Sequence, residues 1–159
     1  MDGPSPHESH RSATGYSVGA TYLDACREAL RRGDRKVGTE HLLLALLMES
    51  ECLGAVGRSL DDARASLEAL DQEAMAAAGV DAKACPAPPL RGRPAERLPL
   101  TPAAKDALKA ASQEAGKRRF GPRHVLLALT RRDAADAVTL LLARLGVDRE
   151  AVRAQLRGA

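Results

Sequence analysis

A nine-residue segment that occurs twice places the strongest constraint on the fold of this chain. Positions 38–46 read GTEHLLLAL and positions 121–129 read GPRHVLLAL, so six of the nine positions are identical at an offset of 83 residues. The shared glycine and histidine carry more weight than the leucines and alanines, which match easily by chance. An internal repeat at a fixed offset indicates a repeated structural unit. The sequence therefore predicts two equivalent units.

The repeated segment itself is typical of a buried helix. Leu42, Leu43, Leu46 and Leu47 are distributed around much of the circumference of such a helix, which leaves little polar surface for water. Thr39 and Glu40 stand at its start. A threonine is a good N-cap, and the helix dipole favours an acidic residue in the first turn. We expect Thr39 to cap this helix.

Apolar residues at spacings of three and four predict the other helices. The expected helices cover 16–32, 40–48, 53–60, a stretch capped by Asp61 or Asp62 that runs to about 78, 102–116, the region of 125–129, 134–145, and a last helix capped by Asp148 that runs to about 156. The pair Thr101 and Pro102 forms the clearest helix start, because proline is well suited to the first helical position. The fold class predicted is all-α, built from two pseudo-repeats of a four-helix unit.

Polar and proline-rich stretches divide the chain. Residues 1–14 are polar and aperiodic, which predicts a disordered arm. The first unit then covers 15–79, a proline-rich linker covers 80–99, and the second unit covers 100–159. We expect the two units to pack as a single pseudo-symmetric domain over 15–159.

Several functional classes are disfavoured by composition. The chain has no long apolar run and no export signal, which predicts a cytoplasmic protein with no membrane partner. Three cysteines, an odd number, indicate reduced thiols rather than a disulfide framework or a zinc site. No glycine-rich phosphate loop and no coupled nucleophile and base are present. We therefore expect no enzyme activity and no cofactor, and a monomer.

Two motifs carry a resemblance to a known family. GTEHLLLALL at 38–47 and LTPAAK at 100–105 resemble the N-terminal (Clp R) repeats of the Clp/Hsp100 unfoldases, most closely those of the ClpC branch. The turn LGVD at 145–148 is similar to the turn that ends each family repeat. The resemblance extends over about 16–156 and does not include the AAA+ ATPase modules. It implies a non-catalytic binding module whose partners are a Clp unfoldase or its client proteins.

The resemblance also implies a first candidate site, at Thr39 and Glu40. In the family these repeat-start positions face ligand pockets, including pockets for phosphorylated arginine. The second repeat has Pro122 and Arg123 at these positions, so its pocket is not expected to accept a guanidinium. A purely structural role for Thr39 and Glu40, as cap and first-turn acid, is the alternative.

A second candidate site implied by the resemblance is a hydrophobic patch near the junction of the repeats. Its residues in this chain would be Leu100, Thr101, Pro102 and Lys105, with Tyr16 as the counterpart of Leu100 in the first repeat. In the family the patch receives partner proteins and peptide antibiotics, and an aromatic residue usually stands where this chain has Leu100. The alternative is a hydrophobic staple between Leu100 and the following helix.

Three functional hypotheses follow from these features. An adaptor would deliver clients to a Clp unfoldase, and a decoy or regulator would sequester the ligands of the unfoldase's own N-domain. The third is a nucleic-acid-binding regulator on a helical scaffold, which a basic cluster could serve. The cluster consists of Lys117, Arg118, Arg119, Arg123, Arg131 and Arg132. With almost no aromatic residues to stack on bases, a solvated basic face is favoured over a nucleic-acid site.

Overall fold

The computed structural model describes residues 17–80 and 97–158, and these residues form eight α-helices and no β-strand. The helices are α1 (Val18–Arg32), α2 (Thr39–Leu46), α3 (Ser50–Val56), α4 (Leu60–Ala77), α5 (Pro102–Ala115), α6 (Pro122–Leu129), α7 (Ala137–Arg144) and α8 (Arg149–Gly158). The predicted all-α fold class is confirmed. The predicted arm, Tyr16 and most of the predicted linker lie outside the described residues.

Helices α2 and α6 form the centre of the molecule. Every residue from His41 to Leu46 is buried, as is every residue from His124 to Leu129. Helix α1 packs along α2, and α5 packs along α6 in the same way. The expectation that the repeated motif forms a buried helix therefore holds in both units.

The third helices are exchanged between the two units. Helix α3 of the first unit packs against α6 and α8 of the second, while α7 of the second unit packs against α2 and α4 of the first. The buried side chains of both units consequently belong to one continuous hydrophobic cluster. The two repeats are interlocked rather than merely adjacent.

Two polar contacts near the exchanged helix α7 link it to the first unit. Arg58, in the turn between α3 and α4, donates from Nε to the carbonyl oxygen of Leu145 at the end of α7, at 2.8 Å. Arg144 of α7 pairs with Glu73 of α4, with 2.5 Å between Nη1 and Oε1. A cationic side chain at a helix C-terminus satisfies a free carbonyl and complements the helix dipole.

One expected cap is wrong. Gly38, not Thr39, is the N-cap of α2, and Thr39 is the first helical residue. The Thr39 hydroxyl instead donates to a carboxylate oxygen of Asp136, the N-cap of α7. The exchanged helix brings Asp136 next to Thr39. The Thr39 side chain therefore makes a contact between the units instead of the local cap expected from the sequence.

Three further helix starts differ from expectation. Helix α3 begins at Ser50 because the Glu49 carboxylate accepts from the Cys52 amide at 2.8 Å. Ser59, rather than Asp61 or Asp62, caps α4. Helix α7 begins later than expected, behind the Asp136 cap.

Other helix boundaries agree with the sequence. Thr101 caps α5 and accepts from the Ala104 amide at 3.2 Å, with Pro102 as the first helical residue. The Asp148 carboxylate accepts from the Glu150 amide at 3.0 Å at the start of α8.

We expect removal of the Asp136 carboxylate to destabilise the whole domain. This side chain is buried and accepts from the Thr39 hydroxyl, from Arg132 Nε at 2.9 Å and from the Val138 amide at 3.2 Å. Asp136→Ala should lower the free energy of unfolding by about 2–3 kcal/mol, measured by urea denaturation, since it removes a helix cap and leaves buried donors unpaired. Asp133→Ala removes an exposed acid from the preceding turn and should cost less than about 0.5 kcal/mol. Equal effects would contradict a linking role for Asp136.

The Asp136 carboxylate should also make the free energy of unfolding depend on pH in the acid range. Burial alone would raise the pKa of Asp136, but the hydrogen bonds from Thr39, Arg132 and the Val138 amide outweigh it and lower the pKa. A carboxyl whose pKa is lowered by folding stabilises the protein above its unfolded pKa of about 3.9 and loses that contribution as pH falls further. The difference in unfolding free energy between the wild type and Asp136→Asn should therefore shrink below about pH 4. A difference that stays constant through this range would contradict the assignment.

Candidate functional site

A cleft of about 920 Å³ lies in the first unit, between the end of α1, the start of α2 and the length of α4. Its walls are mostly charged, with a few small or flexible apolar residues from α4. The lining residues are Arg31, Arg32, Asp34, Glu40, Asp61, Arg64, Ala65, Glu68, Asp71, Ala74 and Met75. Of the site residues predicted from sequence, Glu40 is the one that lines this cleft.

The Glu40 side chain folds back over the backbone of Gly38. A methyl group placed on Gly38 would overlap the Glu40 carboxylate, whereas one placed on the equivalent Gly121 would meet open space. Glu40 is about one-fifth exposed. The absence of a side chain at Gly38 thus lets the carboxylate sit against the start of the helix while still reaching the cleft.

A buried histidine fixes the geometry of this helix start. His41 Nδ1 accepts from the Gly38 amide at 2.9 Å, so Nε2 carries the ring proton and donates to Asp34 Oδ2 at 2.8 Å. The hydrogen bond from His41 lowers the pKa of Asp34. His124 makes the equivalent Nδ1 contact with the Gly121 amide at 3.1 Å. Both histidines therefore have structural partners.

Ion pairs neutralise the arginines of the cleft. Arg32 contacts both Asp34, at 3.1 Å, and Asp71 of α4. Arg64 of α4 makes a two-pronged contact with Glu28, a carboxylate that is almost fully buried in α1. The Arg64–Glu28 hydrogen bond raises the pKa of Arg64 and helps to hold α4 against α1.

Two carboxylates of the cleft have no cationic partner within residues 17–80 and 97–158. In the described part of the chain, neither Glu40 nor Glu68 has an arginine or lysine within ion-pair distance. Glu40 lies 3.6 Å from His41 Nδ1, but that nitrogen already accepts from Gly38 and has no proton to donate. The cleft therefore presents unpaired negative charge, which suits a cationic group such as a guanidinium.

The other predicted site residues lie next to this helix start. A short parallel pairing joins Val37, just before α2, to the segment that leads into α5: the Val37 amide donates to Pro99 and the Thr101 amide donates to Val37, both at 2.9 Å. Leu100 is half-buried against the core, while Pro102 and Lys105 are exposed. The two candidate sites are thus neighbours across one backbone pairing.

Tyr22 also contacts this region, although the sequence did not predict a role for it here. Its hydroxyl donates to the carbonyl oxygen of Leu98 at 2.6 Å and so ties the segment before α5 to α1. Its helical spacing indicates a core face, and nothing local in the sequence indicates a partner 76 positions away.

The second unit reverses the charge at the position equivalent to Glu40. Arg123 stands where the first unit has Glu40, and its guanidinium donates to the carbonyl oxygen of Leu156 near the end of α8. Its Nε also lies 3.8 Å from Glu51 Oε1 of α3. The side chain that replaces Glu40 thus crosses from α6 to α8 and carries the opposite charge.

The chain is similar to known proteins in sequence. A family model described as the Clp repeat (R) N-terminal domain matches residues 20–141. The chain is 30% identical over 132 residues to the chaperone protein ClpB of Oceanobacillus iheyensis, and the aligned region covers 81% of this chain and 15% of ClpB. It is 31% identical over 140 residues to the chloroplastic chaperone protein ClpC of Pisum sativum, and here the aligned region covers 83% of this chain and 13% of ClpC. The chain thus spans about a seventh of the length of these curated relatives.

A solved structure shares the fold. The N-terminal domain of the chaperone ClpD from Arabidopsis thaliana superposes with a TM-score of 0.66 at 23% identity, covering 87% of this chain and 88% of that one. The fold and the paired motifs define a two-repeat helical N-domain. The chain belongs to the Clp repeat N-terminal domain family.

Two properties of the described residues bear on the class of site. None of the helices in 17–80 and 97–158 is both long and apolar enough to cross a membrane. Within the same ranges, no three His, Cys, Asp or Glu side chains are grouped so as to hold a metal ion.

The histidine at the start of α2 should contribute more to stability than its counterpart in α6. His41 has partners on both ring nitrogens, whereas among the described residues the His124 ring makes one hydrogen bond, at Nδ1. We expect His41→Ala to lower the free energy of unfolding by about 1–3 kcal/mol more than His124→Ala, since it also leaves Asp34 without its donor. Thermal and urea unfolding of both variants would test this, and a larger loss for His124→Ala would contradict it.

Proposed function

We propose that this protein is a non-catalytic Clp N-domain-like binding protein linked to ClpC-type protein quality control. It would act as an adaptor or as a decoy or regulator, and would bind N-domain ligands such as protein clients, phosphoarginine-type tags or peptide antibiotics. Membership of the family supports the general role. The observation that supports a ligand site most directly is the unpaired Glu40 carboxylate at the wall of the first-unit cleft.

A phosphoarginine side chain fits the charges at this place. Its guanidinium would pair with Glu40 in a charge-assisted contact. Its phosphate would be favoured by the start of α2, because the first amides of a helix have no acceptor within the helix and the dipole is positive there. Thr39 is not part of this proposal, because its hydroxyl is committed to Asp136.

The same reasoning predicts one such site per chain. In the second unit a guanidinium ligand would meet the guanidinium of Arg123, which already occupies the Leu156 carbonyl. We therefore expect a stoichiometry of one.

Calorimetric titration with phosphoarginine tests the assignment. Glu40→Ala should weaken binding by about 1.5–3 kcal/mol, because one charge-assisted hydrogen bond is lost. Asp62→Ala removes the same charge from an exposed α4 position outside the cleft and should leave binding nearly unchanged. Two equal sites, or a single site that is insensitive to Glu40→Ala, would show that the pocket has been assigned to the wrong residues.

A pair of glycine variants tests the position of the carboxylate separately from its charge. Gly38→Ala should displace the Glu40 side chain and weaken phosphoarginine binding, while the backbone at this N-cap, with φ −98°, accepts alanine without strain. Gly121→Ala makes the same change in open space and should have no effect on binding. Identical binding by the two variants would contradict the proposed placement.

A binding assay with a purified ClpC-type unfoldase would distinguish an adaptor from a decoy. An adaptor must bind the unfoldase itself, whereas a decoy needs only to bind the ligands of the unfoldase's N-domain. If phosphoarginine does not bind at all, the exposed residues beside Leu100, including Pro102 and Lys105, are the remaining candidate for the binding of partners.

A further inference from the structure

A group of cations that have no ion-pair partner among the described residues lies at one end of the second unit. Lys117, Arg118 and Arg119 form the exposed loop between α5 and α6, and Arg157 is exposed in the last turn of α8. Within the residues that the structure describes, none of the four has a carboxylate within ion-pair distance. We call this group the basic corner.

Contacts among the helices bring these four residues to one place. Arg123, in the first turn of α6 and just after the loop, donates to the carbonyl of Leu156, the residue before Arg157. Arg157 is also close enough to Glu114, in the last turn of α5, to lower the pKa of that carboxyl, although Arg131 has the larger effect. The end of α8 therefore lies beside the loop that carries the other three cations.

The loop is held in a defined shape. Gly116 has φ 56° and ψ −119°, and the Arg118 amide donates to the carbonyl of Ala115 at 2.9 Å. These values describe a type II′ turn with glycine at its first central position, where a positive φ is required. Lys117 and Arg118 follow within this turn. Binding would consequently cost little ordering of the backbone.

The structure divides the basic cluster that the sequence contains. Arg131 makes two contacts with Glu114, at 2.9 and 3.3 Å, and Arg132 pairs with Asp136. These arginines are therefore neutralised. The charge available to a partner is concentrated at the basic corner, where Glu114 is already occupied by Arg131.

The equivalent loop of the first unit differs in one decisive position. At the offset of 83 residues, Arg118 and Arg119 correspond to Arg35 and Lys36, but Lys117 corresponds to Asp34. Asp34 is paired with Arg32 and His41 and lies on the wall of the acidic cleft. The first-unit loop therefore combines both signs of charge, and the second-unit loop carries one sign.

We propose that the basic corner binds an acidic peptide segment of a partner protein. Arginine guanidinium groups pair with carboxylates in a forked geometry, and three of the four cations are arginines. A duplex nucleic acid suits this surface less well, because non-specific DNA affinity comes almost entirely from the number of phosphates neutralised and the basic corner offers only its own four cations. The aromatic ring nearest the loop, Phe120, packs against the core and His124 rather than standing free to stack on a base.

Fluorescence anisotropy with a labelled poly-glutamate peptide tests the proposal on the full chain. We expect saturable binding that weakens as salt is raised. Arg118→Ala/Arg119→Ala should weaken binding by about tenfold, the combined effect of two exposed ion pairs. Arg35→Ala/Lys36→Ala removes the same charge from the equivalent loop and should change affinity by less than about twofold.

The outcomes separate the alternatives. Equal weakening by both double variants would show attraction to net charge alone and would overturn the proposal. Tighter binding of a mixed-sequence DNA duplex than of the peptide, with a steep dependence on salt, would replace it with a nucleic-acid surface. Circular dichroism should show that both variants keep the helical content of the wild type, so that a loss of affinity reports on the loop.

Discussion

Helices α2 and α6 are apolar around almost their whole circumference, and the rest of the structure follows from the need to cover them. A helix of this kind is stable only when neighbours pack on every side. One unit offers α1 and α4 to its own α2, and the exchanged α7 of the other unit packs there as well. Since α6 is covered by α5, α8 and the exchanged α3, each unit supplies part of the core of the other.

The contact between Thr39 and Asp136 shows how this packing affects local structure. Sequence patterns were sufficient for the number of helices, because apolar spacing, the Thr101–Pro102 start and the repeated motif are local signals. They were insufficient where several polar residues compete for one cap. Thr39 bonds to Asp136 of the other unit, 97 positions away, which no local pattern indicates. Ser59 caps α4 through a local bond from the Asp62 amide, so there the sequence offered three neighbouring cap candidates without ranking them.

The candidate site was predictable to a similar degree. Glu40 stands at a recognisable motif, and the structure places it on the wall of a cleft. The opposite wall comes from α4, and no local pattern indicates that Glu68 and Asp71 would face it. The sequence shows the charge reversal at Arg123, but the carbonyl of Leu156 that receives its guanidinium is a consequence of how α8 packs. The two units therefore share a backbone and differ in electrostatics, with an acidic cleft in one and a basic corner in the other.

The exchange of third helices also has a kinetic consequence. Thr39 and Asp136, which link the two units, are 97 positions apart in the chain. Contacts between distant positions require a large loop to close before any packing is gained, which delays their formation relative to the local helical contacts. During synthesis, the first unit emerges from the ribosome before the second. Until α7 emerges, it cannot cover α2. The nascent chain would expose leucines until the second unit emerges, and for that interval it would resemble the unfolded proteins that chaperones recognise.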